Sequence, residues 1–478
     1  MGNTILGAGD PTTGYDIDNS GLFNGSNQLL SRTPSSEESD MTKWTVSAWV
    51  KRGNLGDGSN HQYFFGAGDY TILGFNSSDN IYLQVYNSSG GAKAVQTTAK
   101  YQDPTAWYNI VGKYDSTQGT AANRLKLYVN GEEVTSFGVD QRSSITQNHA
   151  DLVGDDVAHT IGYSANNTSY FDGYMADVNV ICGNTYDASY FGERDTDSGI
   201  WKPKKFGGSY GSNGSFHEFG AESTGVGAGR FASDTSGNGN HYDTSNFSSE
   251  YQHTDTPTNN FAVLNPLFSG RSSTLSKGNL QVTGETDNTY DVATFGSSMK
   301  WYTEWDLDED YDGSGGGVRF GGLHEDELAV NDNFGNFGNA TAKWYTNSND
   351  GKYQEGPGNN PSGGGSRTRP GNNDIIMVAC DGANAKIYFG INGTWLDSGD
   401  PANGTGGFHG NWTTAMKAGI WFPAVVYSLT VASGHINFGN PMKSIDSGNA
   451  DDNGYGEFEY DVPAGYYALC TKNLAEYG

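Results

Sequence analysis

Three groups of residues in this sequence have types and spacings that could do chemistry. Glu304-Trp305-Asp306-Leu307-Asp308-Glu309 reads E-x-D-x-x-E. On a strand, Glu304 and Asp306 share one face, and a bulge would bring Glu309 round beside them. Two carboxyl groups about 5 to 5.5 Å apart serve a retaining glycosidase as nucleophile and general acid. Overlapping this stretch, Asp308, Asp310 and Asp312 fall at D-x-D-x-D-G spacing, which can offer oxygens to Ca²⁺. Position twelve of that loop is Arg319, where an EF-hand needs a bidentate Glu, and the adjacent Ser314-Gly315-Gly316-Gly317 has the chemistry of a solvated loop. The third group is aromatic. Trp395, Phe408, His409 and Trp412 flank a Gly-rich loop that also holds Asp400 and Asn403. A pyranose stacks its apolar face on such rings, and its hydroxyls need donors and acceptors nearby. Each group also has a plainer reading: acids at a solvated strand end, loop residues, and rings that fill a core.

Other chemistries are disfavoured. The nine histidines are scattered, and no G-x-S-x-G or H-E-x-x-H pattern occurs. No G-x-G-x-x-G sits between a strand and a helix, so no nucleotide cofactor is implied. Cys182, Cys380 and Cys470 are odd in number, far apart and without a C-x-x-C spacing, which points to buried free thiols. A net charge of −28, from 55 acids against 27 bases, repels nucleic acid and anionic membrane, so neither is expected as a direct partner. No apolar run approaches the length of a transmembrane helix, about 18 residues. Met1-Gly2-Asn3-Thr4-Ile5-Leu6 lacks a basic n-region and an apolar h-region, so no signal peptide is expected, and the chain should stay in the cytoplasm where it is made until release by another route.

The elements that must position these groups are strands. Glycine, at 69 of 478 residues, is about twice its average usage, and helix-period runs are absent; the best helical candidate is a short piece near Asp187 to Glu193. Lys386 to Ile391 alternates Ile387, Phe389 and Ile391 with Tyr388 and Gly390, and Asn392-Gly393 supplies a type I′ turn, reading as the central hairpin of a β-sandwich. Arg124 to Val129, Asn130-Gly131 and Glu132-Glu133-Val134 repeat that grammar. Two such hairpins, in a chain of this length, predict two sandwiches in series. The first spans residues 1–200, and 201–262 is a loop-rich connector expected to pack as ordered loops. The second, with a C-terminal tail, spans 263–478. In Lys300 to Asp306, Trp301, Thr303 and Trp305 share one face and Tyr302, Glu304 and Asp306 the other, which predicts a structural Glu304 that is solvated or paired with a base such as Arg319.

In the first segment, W-T-V-S-A-W-V from Trp44, W-Y-N-I-V from Trp107, L-K-L-Y-V-N-G from Leu125 and F-D-G-Y-M-A-D-V from Phe171 closely resemble the laminin-G-like, concanavalin-type jelly roll. The resemblance implies a curved two-sheet sandwich and often glycan or protein binding. In the second, K-W-Y-T-E from Lys300, D-I-I-M-V-A-C-D from Asp374, K-I-Y-F-G-I-N-G-T-W from Lys386, W-F-P-A-V from Trp421 and I-N-F-G from Ile436 resemble a SPRY domain, a binding module; Gly390 stands where a larger residue is expected. The E-x-D-x-x-E spacing is similar to that of laminarinase-type hydrolases, but it sits in the SPRY-like half, whose family implies no such activity.

With D-T-S-G-N-G-N-H from Asp234, D-T-P-T-N-N-F-A from Asp255 and the G-Y-Y-A-L-C-T-K-N-L ending, the chain resembles structural proteins of marine tailed phages. That implies an all-β, two-sandwich protein on the virion surface, a tail-fibre, head-fibre or decoration subunit, and not an enzyme. Its expected partners are host surface polysaccharide or other virion proteins. The glycan-binding candidates are Trp395, Asp400, Asn403, His409 and Trp412, and the only cofactor candidate is Ca²⁺. Alternatives are a polysaccharide depolymerase and a purely architectural subunit. A homo-oligomer is expected, without a coiled-coil stalk because no heptad run occurs, and with residues 1–18 ordering against a neighbour.

Overall fold

The period-2 runs form strands and the Asn-Gly pairs close them. The structure, a computed structural model, describes residues 14–87, 91–165, 169–248, 251–268, 273–283, 289–309, 318–328, 338, 340–346, 352–356, 368–406, 414–427, 433–443 and 445–478. Asn130 and Gly131, and likewise Asn392 and Gly393, have positive φ (48° and 81°, 48° and 79°), the backbone a type I′ turn requires. Among the described residues the one α-helix is Thr471–Tyr477; the piece near Asp187 is a 3-10 turn, Ala188–Tyr190. The chain is all-β and divides into two units, one ending at Asn259 and the other beginning at Asn260.

The first unit is a sandwich of two antiparallel sheets. Sheet A runs Glu132–Glu133, Leu125–Val129, Trp107–Asp115, Lys43–Arg52, Asp172–Cys182, Ser20–Asn24, Gln252–His253, and Ser215–His217 also pairs with Asp172–Cys182. Sheet B runs Phe137–Asp140, Lys93–Lys100, Asn80–Val85, Thr71–Phe75, Gln62–Ala67, His159–Ile161, Leu29–Arg32, Asp243–Ser245. Between them lie Trp44, Val46, Ala48 and Val50 from one sheet and Phe64, Leu73, Leu83 and Val95 from the other, all buried. The connector expected at 201–262 lies mostly within this unit. It places Ser215–His217 and Gln252–His253 in sheet A and Asp243–Ser245 in sheet B. These strands are two or three residues long, too short to show alternation.

The second unit repeats the plan. Sheet C runs Thr274–Ser276, Gln281–Thr283, Ser433–Asn437, Lys300–Glu309, Ile375–Asp381, Lys386–Ile391, Thr394–Trp395; sheet D runs Thr289–Val292, Trp421–Tyr427, Val318–His324, Ala342–Thr346, Lys352–Glu355. Trp305 meets Phe320 (ring centroids 5.8 Å) and Phe389 meets Tyr345 (5.8 Å) across the core. The two Asn-Gly hairpins occupy equivalent places: each ends a sheet, two strands out from its long central strand, Lys43–Arg52 in one unit and Lys300–Glu309 in the other. They are edge hairpins, not central ones.

Packing accounts for two small features. Gly390 pairs with Trp395, and a Cβ on it would lie 3.2 Å from the Trp395 ring, so its small size makes room for that ring. Residues 14–18 tie to their own unit: Ile17 is buried and its N–H and C=O both bond the Thr258 hydroxyl (3.2 and 2.9 Å). Ile5 and Leu6 lie outside the described residues.

Candidate functional site

The acids singled out on Lys300–Glu309 are consumed by structure. Glu304 is buried. Its Oε1 accepts from the Tyr302 hydroxyl (2.8 Å) and the Tyr460 N–H (2.9 Å), and its Oε2 from the Glu459 N–H (2.9 Å). It is therefore neither solvated nor paired with Arg319, which lies in sheet D and donates to Gln354 (2.6 Å); it ties the C-terminal tail to the face of sheet C. Asp306 pairs with Lys443 (2.8 Å). Asp308 pairs with Lys443 and with His435 (2.9 Å), and these bonds hold its carboxyl at about 2 against the cost of burial. A carboxylate shared by two bases is not a free calcium ligand. Asp310, Asp312 and the Glu309 side chain lie outside the described residues; the bulge before Glu309 is present in the backbone register.

Burial pushes the Glu304 carboxyl from 4.5 to about 7, with the bonds from Glu459, Tyr460 and Tyr302 pulling the other way. Between those values the folded state holds a proton the unfolded chain has released, so stability falls as pH rises through the window. Glu304→Gln should remove that slope, up to about 1.4 kcal/mol per pH unit. At pH 4.5 the variant should be about 1–3 kcal/mol less stable, because an amide nitrogen cannot accept from the backbone and orphans one N–H. Denaturant unfolding at several pH values measures both; an unchanged slope would mean the carboxyl titrates normally.

The aromatic group of the second unit is only partly assembled by the described residues. Trp395 is half-buried, its ring edge-on to Tyr302 (6.3 Å), and helps cover sheet C. Asp400 accepts from the N–H and side-chain amide of Asn403 (3.1 and 2.8 Å), so these two close their own turn. His409 and Trp412, with Phe408, lie outside the described residues. The three thiols are buried, and burial first of all pushes Cys182 up to about 12, which leaves it inert.

Strand pairing decides which faces of the four sheets point outward, and three of those outer faces are covered. Val111, Tyr128 and Ile181 on sheet A lie under Ala188 and Phe191, with Trp201, Phe206 and Tyr210 around them. Further along that face, Lys51 forms a fully buried ion pair with Asp255 (2.6 Å). The outer face of sheet C (Tyr302, Met377, Ala379, Tyr388) lies under Phe458, Tyr466, Ala468 and Cys470. On sheet D, Tyr290, Val292, Trp344 and Val426 are buried with Phe268 and Leu328 against them.

Sheet B differs. Opposed residues on neighbouring strands share a face, so Val139, Gln96, Tyr82, Gly74 and Tyr63 form one outward row, and Ala94, Gln84, Ile72, Gly66, Thr160 and Ser31 the next. Of the first row, Tyr82, Gln96 and Val139 remain partly exposed. His61 stacks on Tyr63 (5.3 Å, 8°), and Tyr63 lies 6.2 Å from Tyr82, giving a ladder of three rings. The Tyr82 hydroxyl donates to Gln84 (2.8 Å), whose amide donates to the Tyr70 carbonyl (2.7 Å); Tyr70 itself is 44% exposed. Gln84 thus fixes the orientation of Tyr82. The hairpin Tyr163–Ser164 and Ser169–Tyr170, its two tyrosine rings 4.6 Å apart, crosses the second row at Gly66, where a Cβ would lie 3.1 Å from the Tyr163 carbonyl oxygen. Beside that wall Val139, Gln96 and Tyr82 of the first row remain accessible, while Gly74 and Tyr63 are buried. Burial lowers His61 below the ordinary imidazole range, and the Ser77 N–H donating to its Nδ1 (3.1 Å) leaves the remaining proton on Nε2 as a donor.

Sequence reasoning could see that Tyr82 and Gln84 point away from Ile81, Leu83 and Val85. It missed that Tyr82, Gln96 and Val139 of this face stay partly exposed while the other outer faces are covered. For metals, Glu37, Asp155 and Asp156 bring one oxygen each within 4.8 Å of the others at the surface, as exposed carboxylates commonly do without an ion.

Residues 24–182 match the laminin G family model described as the concanavalin A-like lectin/glucanases superfamily, so the sandwich of the first unit is a laminin-G-like, concanavalin A-like domain. Among solved structures the chain is similar to the SPRY domain of human HERC1 (16% identity, TM-score 0.27, covering 36% of this chain and 96% of that one). It is also similar to a putative carbohydrate binding protein from Bacteroides ovatus (16%, 0.26, 40% and 58%) and to domains LG4-5 of the mouse laminin alpha1 chain (9%, 0.27, 90% and 91%). Among curated proteins none matches the sequence.

Proposed function

We propose that the protein is a glycan-binding module displayed on the surface of a tailed-phage virion, where it holds host polysaccharide without cleaving it. One observation carries this reading. Among the described residues, the outer face of sheet B keeps Val139, Gln96 and Tyr82 partly exposed in one row, and it presents the Tyr82 ring, fixed by Gln84, beside the Gln96 amide, the combination that suits sugar hydroxyls and ring faces. The resemblance to marine phage structural proteins supports the virion setting, and repeated copies there would raise weak affinities by avidity, by about 10² to 10⁴. The chain is expected to self-associate, which light scattering checks: a strict monomer at high concentration would leave multivalency to the particle alone.

The direct test is binding to polysaccharide purified from the host surface, followed by calorimetry. Tyr82→Ala should weaken it about 3- to 10-fold, the worth of a lost ring contact, with unfolding unchanged. New reducing ends accumulating during incubation would refute the non-hydrolytic part, and a Tyr82→Ala protein binding as tightly as the native chain would refute the site.

A further inference from the structure

Resting on that reading, we infer that the open face of sheet B takes a neutral, extended glycan laid across the strands, not a single terminal sugar or an acidic polymer. The two outward rows carry no charged residue until Asp243 pairs with Ser31 at the far edge, although 17% of the chain is charged. A carboxylate or sulfate on the ligand would find no cation on these rows, and a net charge of −28 opposes its approach. The Gln96 amide offers both donor and acceptor capacity and the Tyr82 hydroxyl, donating to Gln84, still accepts, which matches uncharged hydroxyls. His61, neutral with its Nε2–H free of the Ser77 bond, adds a donor at the end of the ring ladder.

Length follows from the register. From Val139 to Tyr82 the partly exposed part of the row crosses three adjacent strands, two steps of about 4.8 Å, so the floor is about 10 Å long. A single sugar ring would meet one or two of its side chains, whereas two or three linked rings would meet Val139, Gln96 and Tyr82 together. The hairpin bearing Tyr163 and Tyr170 confines such a chain to this row.

The experiment uses the full chain with neutral gluco-oligosaccharides of graded length, oligouronates of matched length, and free glucose, followed by calorimetry at low and high salt. Affinity for the neutral series should rise with length and then level off, independent of salt. Oligouronates should bind about tenfold more weakly, the cost of an unpaired charge at a contact, and Gln96→Lys should narrow that gap. Uronates binding as tightly as neutral chains, or glucose binding as tightly as the longest oligomer, would overturn the inference while leaving a glycan-binding function intact. Absence of binding to every member and to host polysaccharide would overturn both.

Discussion

Asp255→Asn is expected to destabilise the first unit by about 3–5 kcal/mol, although the side chain keeps its shape, because it leaves the Lys51 ammonium buried without its anion. The two side chains meet at 2.6 Å with 1% and 0% of their surface exposed, and the Trp107 indole N–H donates to the second carboxylate oxygen (3.1 Å). Burial already lowers Lys51 below the ordinary lysine range, with Asp255 pulling it back. In the variant that pull is gone, so the folded state sheds the proton before the unfolded chain does. Stability of the variant should therefore climb with pH in the alkaline range, and the deficit should shrink. Denaturant unfolding at pH 7 and pH 10 measures both, with Asp40→Asn as a control: that pair with Lys43 is solvent-accessible, its side chains 38% and 33% exposed, and the loss should stay below about 1 kcal/mol. A deficit for Asp255→Asn as small as the control's would mean that water reaches the pair. Replacing both partners, Lys51→Met with Asp255→Leu, should recover most of the loss.

The second unit has its own version of this latch. Lys343 and Glu355 lie on neighbouring strands of sheet D, 3.3 Å apart and fully buried. Between them they hold the backbone of Thr414: Lys343 donates to its carbonyl (3.0 Å), and both Glu355 oxygens accept from its N–H (3.1 Å each). Lys343→Met should cost about 3–5 kcal/mol, the penalty for breaking a buried pair from one side, because it takes the Lys343 cation away from the buried Glu355 carboxylate. Burial lowers the Lys343 ammonium, with Glu355 acting against that, so the pair is held by partnership and not by solvent. The double variant Lys343→Met with Glu355→Gln should be milder than the single one. If instead the single variant lost less than about 1 kcal/mol, the pair would be contributing no more than a surface bridge does.

These latches and the open face show where reading the sequence stops. The alternation at Ile81 to Val85 shows that Tyr82 and Gln84 leave the core, and the alternation at Trp301 to Asp306 correctly separates two faces of that strand. What covers each face is another matter. Glu304 was legible as a structural residue, yet its partners, the backbone of Glu459 and Tyr460, lie 155 and 156 residues away, so an exposed or Arg319-paired carboxylate was the natural expectation. Asp308 looked like a metal ligand by spacing alone, and His435 and Lys443, from a distant segment, occupy its oxygens.

The sequence by itself determined what local chemistry controls. Period-2 runs made strands, two Asn-Gly pairs with positive φ made two edge hairpins, the glycine content and lack of helical periodicity left a single short helix among the described residues, and apolar flanks buried three thiols. Only the tertiary structure decided which sheet faces are sealed, because the sealing groups come from far along the chain: Asp255 reaches Lys51 across 204 residues. By contrast, the row of Gln96, Tyr82 and Tyr63 is built by strands that follow one another in the chain. A strand's own pattern tells each side chain which way to point, but whether it then meets protein, ligand or water depends on contacts that no local pattern encodes.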